Sequence, residues 1–227
     1  MSGTGKTTIA TTLARCLARR GHRVLAIDGD SNPNLALSLD LPAGEAERMR
    51  PMPARALTGS QTAADLFEQY AVPGPGGIRF LELGKLPHEV EPTVTVAFRY
   101  VVERPRRVGW TVVADLAAGT RQPMFGWARF APTVLVVVDP SAKAMLTARR
   151  LVRAGVGTHV VANKVRDGAD LAAIRDAVAL PLLGCVPFDP SVIEAERRGQ
   201  APIDVAPSAP AVSAMRRLAD ALAGTAR

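Results

Sequence analysis

The sequence predicts an α/β fold built on a doubly wound, mostly parallel β-sheet with helices on both of its faces. Strand-like and helix-like segments alternate along the chain, which is typical of parallel sheets. The predicted strands are also apolar on both faces, as expected of strands buried between two helical layers. With 227 residues, 48% of them hydrophobic, and no internal repeat, the chain fits a single domain over residues 1–227.

The strands are predicted from short apolar runs, and the helices from longer segments whose apolar residues recur every three or four positions. The predicted strands are residues 24–27, 78–83, 111–114, 133–138, 159–162 and 182–186. The predicted helices are residues 7–20, 62–69, 94–103, 142–154, 171–177, 191–198 and 211–223. The last helix carries one apolar stripe, so we expect it to cover the core.

Two segments interrupt this alternation and are predicted to be surface loops. Residues 42–60 are rich in Pro, Ala, Arg and Gly, and residues 72–77 contain the run Pro-Gly-Pro-Gly-Gly. The first segment is long enough to be an insertion specific for a partner or substrate, and a disordered connection is the equally open alternative.

The chain is basic, with 28 Lys and Arg against 21 Asp and Glu, a formal charge of +7 and an isoelectric point of about 10.2. This balance permits contact with nucleic acid or an acidic partner. Most arginines are scattered along predicted helices, among them Arg15, Arg19, Arg149 and Arg216. Solvated helix faces are therefore favoured over a nucleic-acid groove.

The sequence indicates a cytoplasmic protein without membrane contact. Its longest apolar run, near residues 134–138, is far shorter than the roughly 20 residues that a bilayer crossing needs. The first residues are polar and glycine-rich, unlike a secretory signal. Cys16 and Cys185 lie far apart and outside any C-x-x-C spacing, which predicts reduced core thiols.

The first eight residues contain the end of a phosphate-binding motif, G-x-x-x-x-G-K-[ST], that runs directly into a helical pattern. In such a loop, backbone N–H groups and the helix N-terminus hold phosphate oxygens. We expect Lys6 to bridge the β- and γ-phosphates and Thr7 to ligate Mg²⁺. The predicted phosphate-contacting residues are Ser2, Gly3, Thr4, Gly5, Lys6, Thr7 and Thr8.

The opening glycine of this motif would lie before Met1, as would the buried strand that precedes the loop in P-loop folds. Two explanations are open: Met1 is a truncated or misassigned start, or the sheet lacks its central strand. We favour the first, because a missing strand would leave its neighbours with unpaired backbone groups, each costing on the order of 1–3 kcal/mol when buried.

Acidic residues follow two of the predicted strands. Asp28 and Asp30 come directly after residues 24–27, and Asp115 comes directly after residues 111–114. The carboxyl ends of parallel strands face the crevice where open α/β sheets bind nucleotides. We therefore expect Asp28 and Asp115 to hold Mg²⁺ through water and Asp30 to orient an attacking water. The alternative is that Asp28 or Asp30 caps a helix that begins near Asn34.

Together these motifs resemble the SIMIBI-class P-loop ATPases of the MinD, ParA and nitrogenase iron protein superfamily, and within it the accessory ATPases of carbon monoxide dehydrogenase maturation. Residues 28–35 read D-x-D-x-N-x-N-L, similar to the first switch of that group, and residues 115–119 read D-x-x-A-G, similar to its second switch. The resemblance identifies further nucleotide-binding residues around the adenine base, namely Asn163, Lys164, Pro187, Phe188 and Asp189.

The resemblance implies a protein that binds ATP with Mg²⁺ and hydrolyses it slowly, with Lys6, Asp30 and Asp115 as catalytic residues. It also implies a nucleotide-dependent homodimer whose switch loops signal to a protein partner, with a metalloenzyme as one candidate.

Two departures from the family pattern bear on this inference. The class carries an additional lysine near the start of its phosphate loop, where this chain has Met1. The maturation ATPases bind nickel or zinc through a C-x-C pair, whereas residues 84–92 contain no cysteine here. His88, Glu89 and Glu91 offer alternative ligands, but an exposed loop is the favoured interpretation.

Several functions remain open on the sequence alone. The first is a metallocentre-maturation ATPase, and the second is a partition or positioning ATPase that binds DNA nonspecifically, as the basic composition allows. A third is a nucleotide-binding regulator without turnover. A metabolic kinase or amide ligase would share the phosphate loop and the sheet.

Overall fold

The computed structural model describes residues 3–30, 34–41, 44, 49–53, 56, 63–83, 99, 102–103, 105–106, 109–117 and 130–225. Its helices are α1 (Lys6–Arg19), α2 (Leu35–Ser38), α3 (Ala63–Tyr70), α4 (Ala142–Arg153), α5 (Gly168–Ala177), α6 (Pro190–Arg197), α7 (Pro202–Val205) and α8 (Pro210–Thr225). Its strands are β1 (Arg23–Gly29), β2 (Val72–Pro73), β3 (Arg79–Glu82), β4 (Trp110–Leu116), β5 (Leu135–Val138), β6 (His159–Val165) and β7 (Leu182–Pro187).

The described strands form two sheets. In the first, with the order β2-β3-β1-β4, the last three strands are parallel and the short β2 is antiparallel to β3. The second, with the order β5-β6-β7, is entirely parallel. Helices cover both sides, which confirms the predicted α/β class. Within the described part of the chain no strand joins β4 to β5, so the sheet is divided there, in line with the predicted lack of the strand before the phosphate loop.

Helix α1 packs against both sheets. One of its faces is buried with β6, β7 and α8, and the other is buried with β1 and β4. The residues of the first face are Ile9, Leu13 and Cys16, and those of the second are Ala10, Ala14 and Leu17. Because these residues recur every three or four positions, a single helix can fill both cores. The loop before α1 is thereby fixed relative to the carboxyl ends of both sheets.

The two cysteines are free, as the sequence predicts. Cys16 is buried between α1 and the second sheet, and Cys185 is half-buried on β7. Burial raises the pKa of both thiols above the ordinary value. Both side chains therefore act as protonated, apolar packing groups at neutral pH.

The loop predicted at residues 72–77 is more ordered than expected. Val72 and Pro73 form β2 opposite Phe80 and Arg79, and residues 75–77 form a 3₁₀ turn. Proline is tolerated here because β2 is an edge strand of the described sheet. The other predicted loop, residues 42–60, and the helix predicted at 94–103 lie largely outside the described residues.

Arg15 was predicted to lie on a solvated helix face, and the structure shows that this prediction is wrong. The residue is only 8% exposed, and its guanidinium forms an ion pair with Asp204 of α7. Asp204 also pairs with Arg19, one turn further along α1. These contacts fasten α7 to the C-terminal part of α1. None of the helices in the described residues is both long and apolar enough to cross a bilayer.

Candidate functional site

The glycine-rich loop and the first turn of α1 line a cavity of about 380 Å³. Gly5 precedes the helix with a left-handed φ of 85°, and no side chain caps the helix at this position. The first N–H groups of a helix have no partner within it, so they are available to an anion in the cavity. Six of the seven residues predicted to contact phosphate line this cavity, namely Gly3, Thr4, Gly5, Lys6, Thr7 and Thr8, while Ser2 lies outside the described residues.

Two side chains from the end of β6 hold the loop in place. The Asn163 amide Nδ2 donates to the carbonyl of Thr4 at 2.7 Å, and the Lys164 ammonium donates to the carbonyl of Gly3 at 2.8 Å. A Cβ on Gly5 would lie 2.3 Å from Asn163 Nδ2, so the contact requires glycine. Lys164 itself has a left-handed φ of 57°. Sequence reasoning anticipated both residues near the nucleotide but missed their contacts with the loop.

A second, smaller cavity of about 30 Å³ lies against the same loop. It brings Gly5 and Thr8 together with the five residues expected near an adenine base, namely Asn163, Lys164, Pro187, Phe188 and Asp189. Phe188 is 46% exposed. These predicted residues, which are distant in sequence, therefore share one surface next to the phosphate loop.

Asp189 has a structural task at this surface. Its carboxylate accepts hydrogen bonds from the backbone N–H and the hydroxyl of Ser191, at 3.0 and 2.6 Å, which caps α6. It also accepts from the N–H of Ala211 in α8 at 3.2 Å. These bonds lower the pKa of Asp189 against the opposing effect of burial. Asp189 thus fixes α6 relative to α8.

Three acidic residues align at the carboxyl ends of adjacent parallel strands. The register pairs Asp28 of β1 with Glu82 of β3 on one side and with Asp115 of β4 on the other. Burial raises the pKa of Glu82, and the charge of Asp28 raises it further. Sequence reasoning missed Glu82, although this polar residue lies near the end of the strand predicted at residues 78–83, close to where Asp28 and Asp115 follow their own strands.

Asp115 connects this row to the phosphate loop. The Thr7 hydroxyl donates to Asp115 Oδ2 at 2.5 Å, and Asp115 is only 4% exposed. Burial raises the pKa of Asp115 to about 6, against the lowering effects of the Thr7 hydrogen bond and the Lys6 charge. The predicted Mg²⁺ residues Thr7 and Asp115 are therefore in direct contact.

Asp28 is engaged with the backbone that follows β1. Its Oδ2 accepts from the N–H groups of Asn34 and Leu35, at 3.0 and 2.8 Å, and its Oδ1 accepts from the N–H of Asp30 at 3.0 Å. Burial nevertheless raises its pKa, because desolvation outweighs these bonds. The capping alternative applies to Asp28, which fixes the start of α2. Asp30 lies one residue beyond β1 and is half-buried.

The donor atoms at the loop suit Mg²⁺, which prefers oxygen ligands and keeps several waters and phosphate oxygens in its shell. Thr7 and Asp115 offer a hydroxyl and a carboxylate side by side. Over the ranges that the structure describes, no three His, Cys, Asp or Glu residues form a protein-only metal site. The candidate ligands His88, Glu89 and Glu91 lie outside those ranges.

Comparisons with known proteins agree with this geometry. The chain is 28% identical to the carbon monoxide dehydrogenase accessory protein CooC of Rhodospirillum rubrum, over 91% of this chain and 88% of that protein. Two solved structures have the same fold at 22% identity. The MinC:MinD cell division complex of Aquifex aeolicus matches with a TM-score of 0.78, covering 99% of this chain and 92% of the other. The MinD protein of Pyrococcus horikoshii, complexed with Mg-ADP, matches with a TM-score of 0.76, covering 100% and 93%.

A protein-family description also matches most of the chain. The "CobQ/CobB/MinD/ParA nucleotide binding domain" covers residues 1–203. The match includes the phosphate loop, the row of acidic residues and the surface around Phe188. The resemblance to MinD and ParA proteins is therefore confirmed, and the chain belongs to the CobQ/CobB/MinD/ParA family of nucleotide-binding domains.

Proposed function

We propose that this protein is a Mg²⁺-dependent ATPase that hydrolyses ATP slowly and uses its nucleotide state to control a protein partner. The observation that carries this proposal is the contact between Thr7 and Asp115 beside Lys6. It joins a phosphate-binding helix N-terminus to a buried acid whose pKa is raised to about 6, and this combination suits a metal-bound polyphosphate.

Each residue of the loop has a distinct role in this proposal. The N–H groups of residues 3–6 and the Lys6 ammonium hold the β- and γ-phosphates. Thr7 and Asp115 hold Mg²⁺, with Asp28 acting on it through water. The ion would withdraw charge from the phosphate oxygens when bound. Asp30 orients the attacking water from the end of β1.

The adenine base is proposed to lie on the surface formed by Asn163, Lys164, Pro187 and Phe188. The exposed ring of Phe188 offers an apolar contact for a planar base. Asn163 and Lys164 connect that surface to the loop through their bonds to Thr4 and Gly3. Asp189 contributes by fixing α6 and α8.

The proposed response to nucleotide is the formation of a homodimer that engages the partner. Asp28 supports a switch role for the chain after β1, because its carboxylate bonds both Asp30 and the start of α2. A change at the phosphates can thereby reach residues 34–38 through a short set of bonds. A metalloenzyme is the proposed partner class, because a relative of similar length is the CooC accessory protein of carbon monoxide dehydrogenase.

A DNA-binding partition ATPase is the second candidate, supported by the formal charge of +7. Nonspecific DNA binding would weaken steeply with salt and require ATP. A gel shift at two salt concentrations, with ATP and with ADP, separates the two candidates.

A nucleotide-binding regulator without turnover is the third candidate. If it is correct, Asp30→Ala releases phosphate no more slowly than the unmodified protein.

The proposal is tested by calorimetry with Mg-ADP and with a nonhydrolysable ATP analogue. Lys6→Ala is expected to weaken binding by at least about tenfold, the loss of one charged contact. Lys143→Ala, at an exposed position on α4, is the matched control. Light scattering should then give a dimer mass with the ATP analogue and a monomer mass with ADP. Equal binding by the Lys6 variant would end the proposal.

A further inference from the structure

Thr8 and Glu196 join the phosphate loop to helix α6. The Thr8 hydroxyl lies in the first turn of α1 and donates to the carboxylate of Glu196. Thr8 is only 8% exposed, while Glu196 is exposed and lines both cavities at the loop. An acidic side chain from a distant helix therefore lies at the position where the site is built to receive an anion.

This carboxylate and a bound phosphate would compete for the same donor. A threonine hydroxyl has a single proton to donate, so it cannot serve a carboxylate and a phosphate oxygen at once. Two anions in neighbouring positions also repel each other. The positive end of the α1 dipole favours whichever anion occupies the position. Glu196 must consequently move away when phosphate arrives.

The surroundings of Glu196 leave room for this movement. At its far end, the segment from α6 to α7 is fastened to α1 by the ion pairs of Asp204 with Arg15 and Arg19. Between Glu196 and Asp204, Gly199 makes the turn with a left-handed φ of 64°. Gly199 and Gln200 also line the larger cavity. Glu196 can thus be displaced while α7 stays anchored.

We propose that Glu196 sets the nucleotide affinity of the site: in the nucleotide-free protein its carboxylate takes the place of a phosphate on Thr8, and phosphate binding displaces it and releases α6 from the loop. This inference rests on the proposed binding of nucleotide at the loop. It adds a residue of α6 that reports phosphate occupancy to the surface around Phe188, which lies between the end of β7 at Pro187 and the start of α6 at Pro190.

The test compares Glu196→Gln with Glu194→Gln by calorimetry. Both changes remove one negative charge from α6, but Glu194 pairs with Arg198 and lines neither cavity. Glu196→Gln is expected to bind Mg-ADP about tenfold more tightly than the unmodified protein, since a charged competitor for the Thr8 hydroxyl is removed. Glu194→Gln is expected to bind as the unmodified protein does.

Pyrophosphate is the second probe, because it has phosphates but no ribose or base. The same gain in affinity is expected for pyrophosphate as for Mg-ADP. A gain with Mg-ADP alone would assign Glu196 to the nucleoside and overturn the proposal. Weaker or unchanged binding of both probes by Glu196→Gln would also overturn it.

The unmodified protein and Lys6→Ala separate this inference from the proposed function. If Mg-ADP binds to the unmodified protein and is lost in Lys6→Ala, nucleotide binding at the loop stands whatever Glu196 does. In that case an unchanged affinity in Glu196→Gln removes only the role of Glu196. If neither the unmodified protein nor Glu196→Gln binds either probe, both the function and the inference are wrong.

Discussion

The Thr7 hydroxyl donates a hydrogen bond of 2.5 Å to Asp115, a residue 108 positions later in the chain. Thr7 belongs to the first turn of α1, and Asp115 lies near the end of β4. Because α1 packs on β1 and β4, the two side chains meet at the mouth of the phosphate loop. This contact is the basis of the proposed Mg²⁺ site, and it leads directly to the first prediction.

Asp115→Asn is expected to lower ATP turnover by at least about a hundredfold, because a neutral amide no longer offsets the charge of a metal ion at the phosphates. Asp176→Asn, at an exposed position on α5, is the matched control and should turn over ATP at the unmodified rate. Phosphate release at varied Mg²⁺ concentration measures both. Turnover retained in Asp115→Asn would remove Asp115 from the site.

Gly5→Ala is expected to destabilise the protein more than Gly21→Ala does, although the two glycines have nearly the same backbone angle. Gly5 and Gly21 have φ values of 85° and 84°, but a Cβ on Gly5 would meet Asn163 Nδ2 at 2.3 Å, whereas nothing lies within 4 Å of one on Gly21. Each alanine carries the cost of a left-handed φ, about 1–2 kcal/mol. Urea unfolding should show the larger loss of stability for Gly5→Ala.

The double variant Gly5→Ala with Asn163→Ala provides the check on that explanation. Removing the Asn163 amide removes the atom that the new Cβ would strike. The two substitutions should therefore cost less together than the sum of their separate effects. Strict additivity would show that the clash does not contribute.

Glu82→Gln is expected to raise the free energy of unfolding at pH 7 in the absence of nucleotide and Mg²⁺. Burial and the charge of Asp28 raise the pKa of Glu82, so its ionised form is disfavoured in the folded protein. The unmodified protein therefore loses stability as the pH rises from the ordinary value of 4.5 toward the higher folded value. The variant avoids this loss.

The advantage of Glu82→Gln should shrink as the pH falls below about 4, where the carboxyl of Glu82 is mostly protonated in both the folded and the unfolded state. Urea unfolding across this range measures the difference. Glu68→Gln, whose side chain is 80% exposed, serves as the control and should show little change. An advantage that grows toward acid pH would contradict the explanation.

Leu13→Ala is expected to destabilise the fold by about 2–5 kcal/mol, because Leu13 is 4% exposed in the core shared by α1, β6, β7 and α8. Leu146→Ala on α4, where the side chain is 49% exposed, should cost far less. Chemical denaturation followed by circular dichroism compares the two. Similar losses would indicate that α1 does not bridge the sheets as described.

Local patterns predicted much of the fold and the centre of the site. The glycine-rich run before Lys6 and the helical spacing after it are contiguous, so short-range geometry determines both the loop and the start of α1. Asp28 and Asp115 each follow an apolar strand, and parallel strands bring such ends together. β2 was missed because a two-residue strand carries no period of its own.

Other features depend on contacts between distant segments. Asp28 could cap a helix or face a metal on the evidence of its sequence. Only the folded backbone brings the N–H groups of Asp30, Asn34 and Leu35 to its carboxylate. Arg15 belongs to a basic helix in sequence, yet the packing of α7 buries it beside Asp204. The spacing of residues within one helix does not reveal which acidic residue of another helix will pack beside it.

The sequence by itself determined the α/β class, the phosphate loop at residues 3–8 and the acids at two strand ends, because each depends on neighbours within a few positions. Only the tertiary structure decided that the Asn163 amide donates to the carbonyl of Thr4, and that the Glu196 carboxylate accepts a hydrogen bond from the hydroxyl of Thr8. The first contact joins residues 159 positions apart in the chain, and the second joins residues 188 positions apart. Such pairs form only when separate cores fix α1, β6 and α6 in one arrangement.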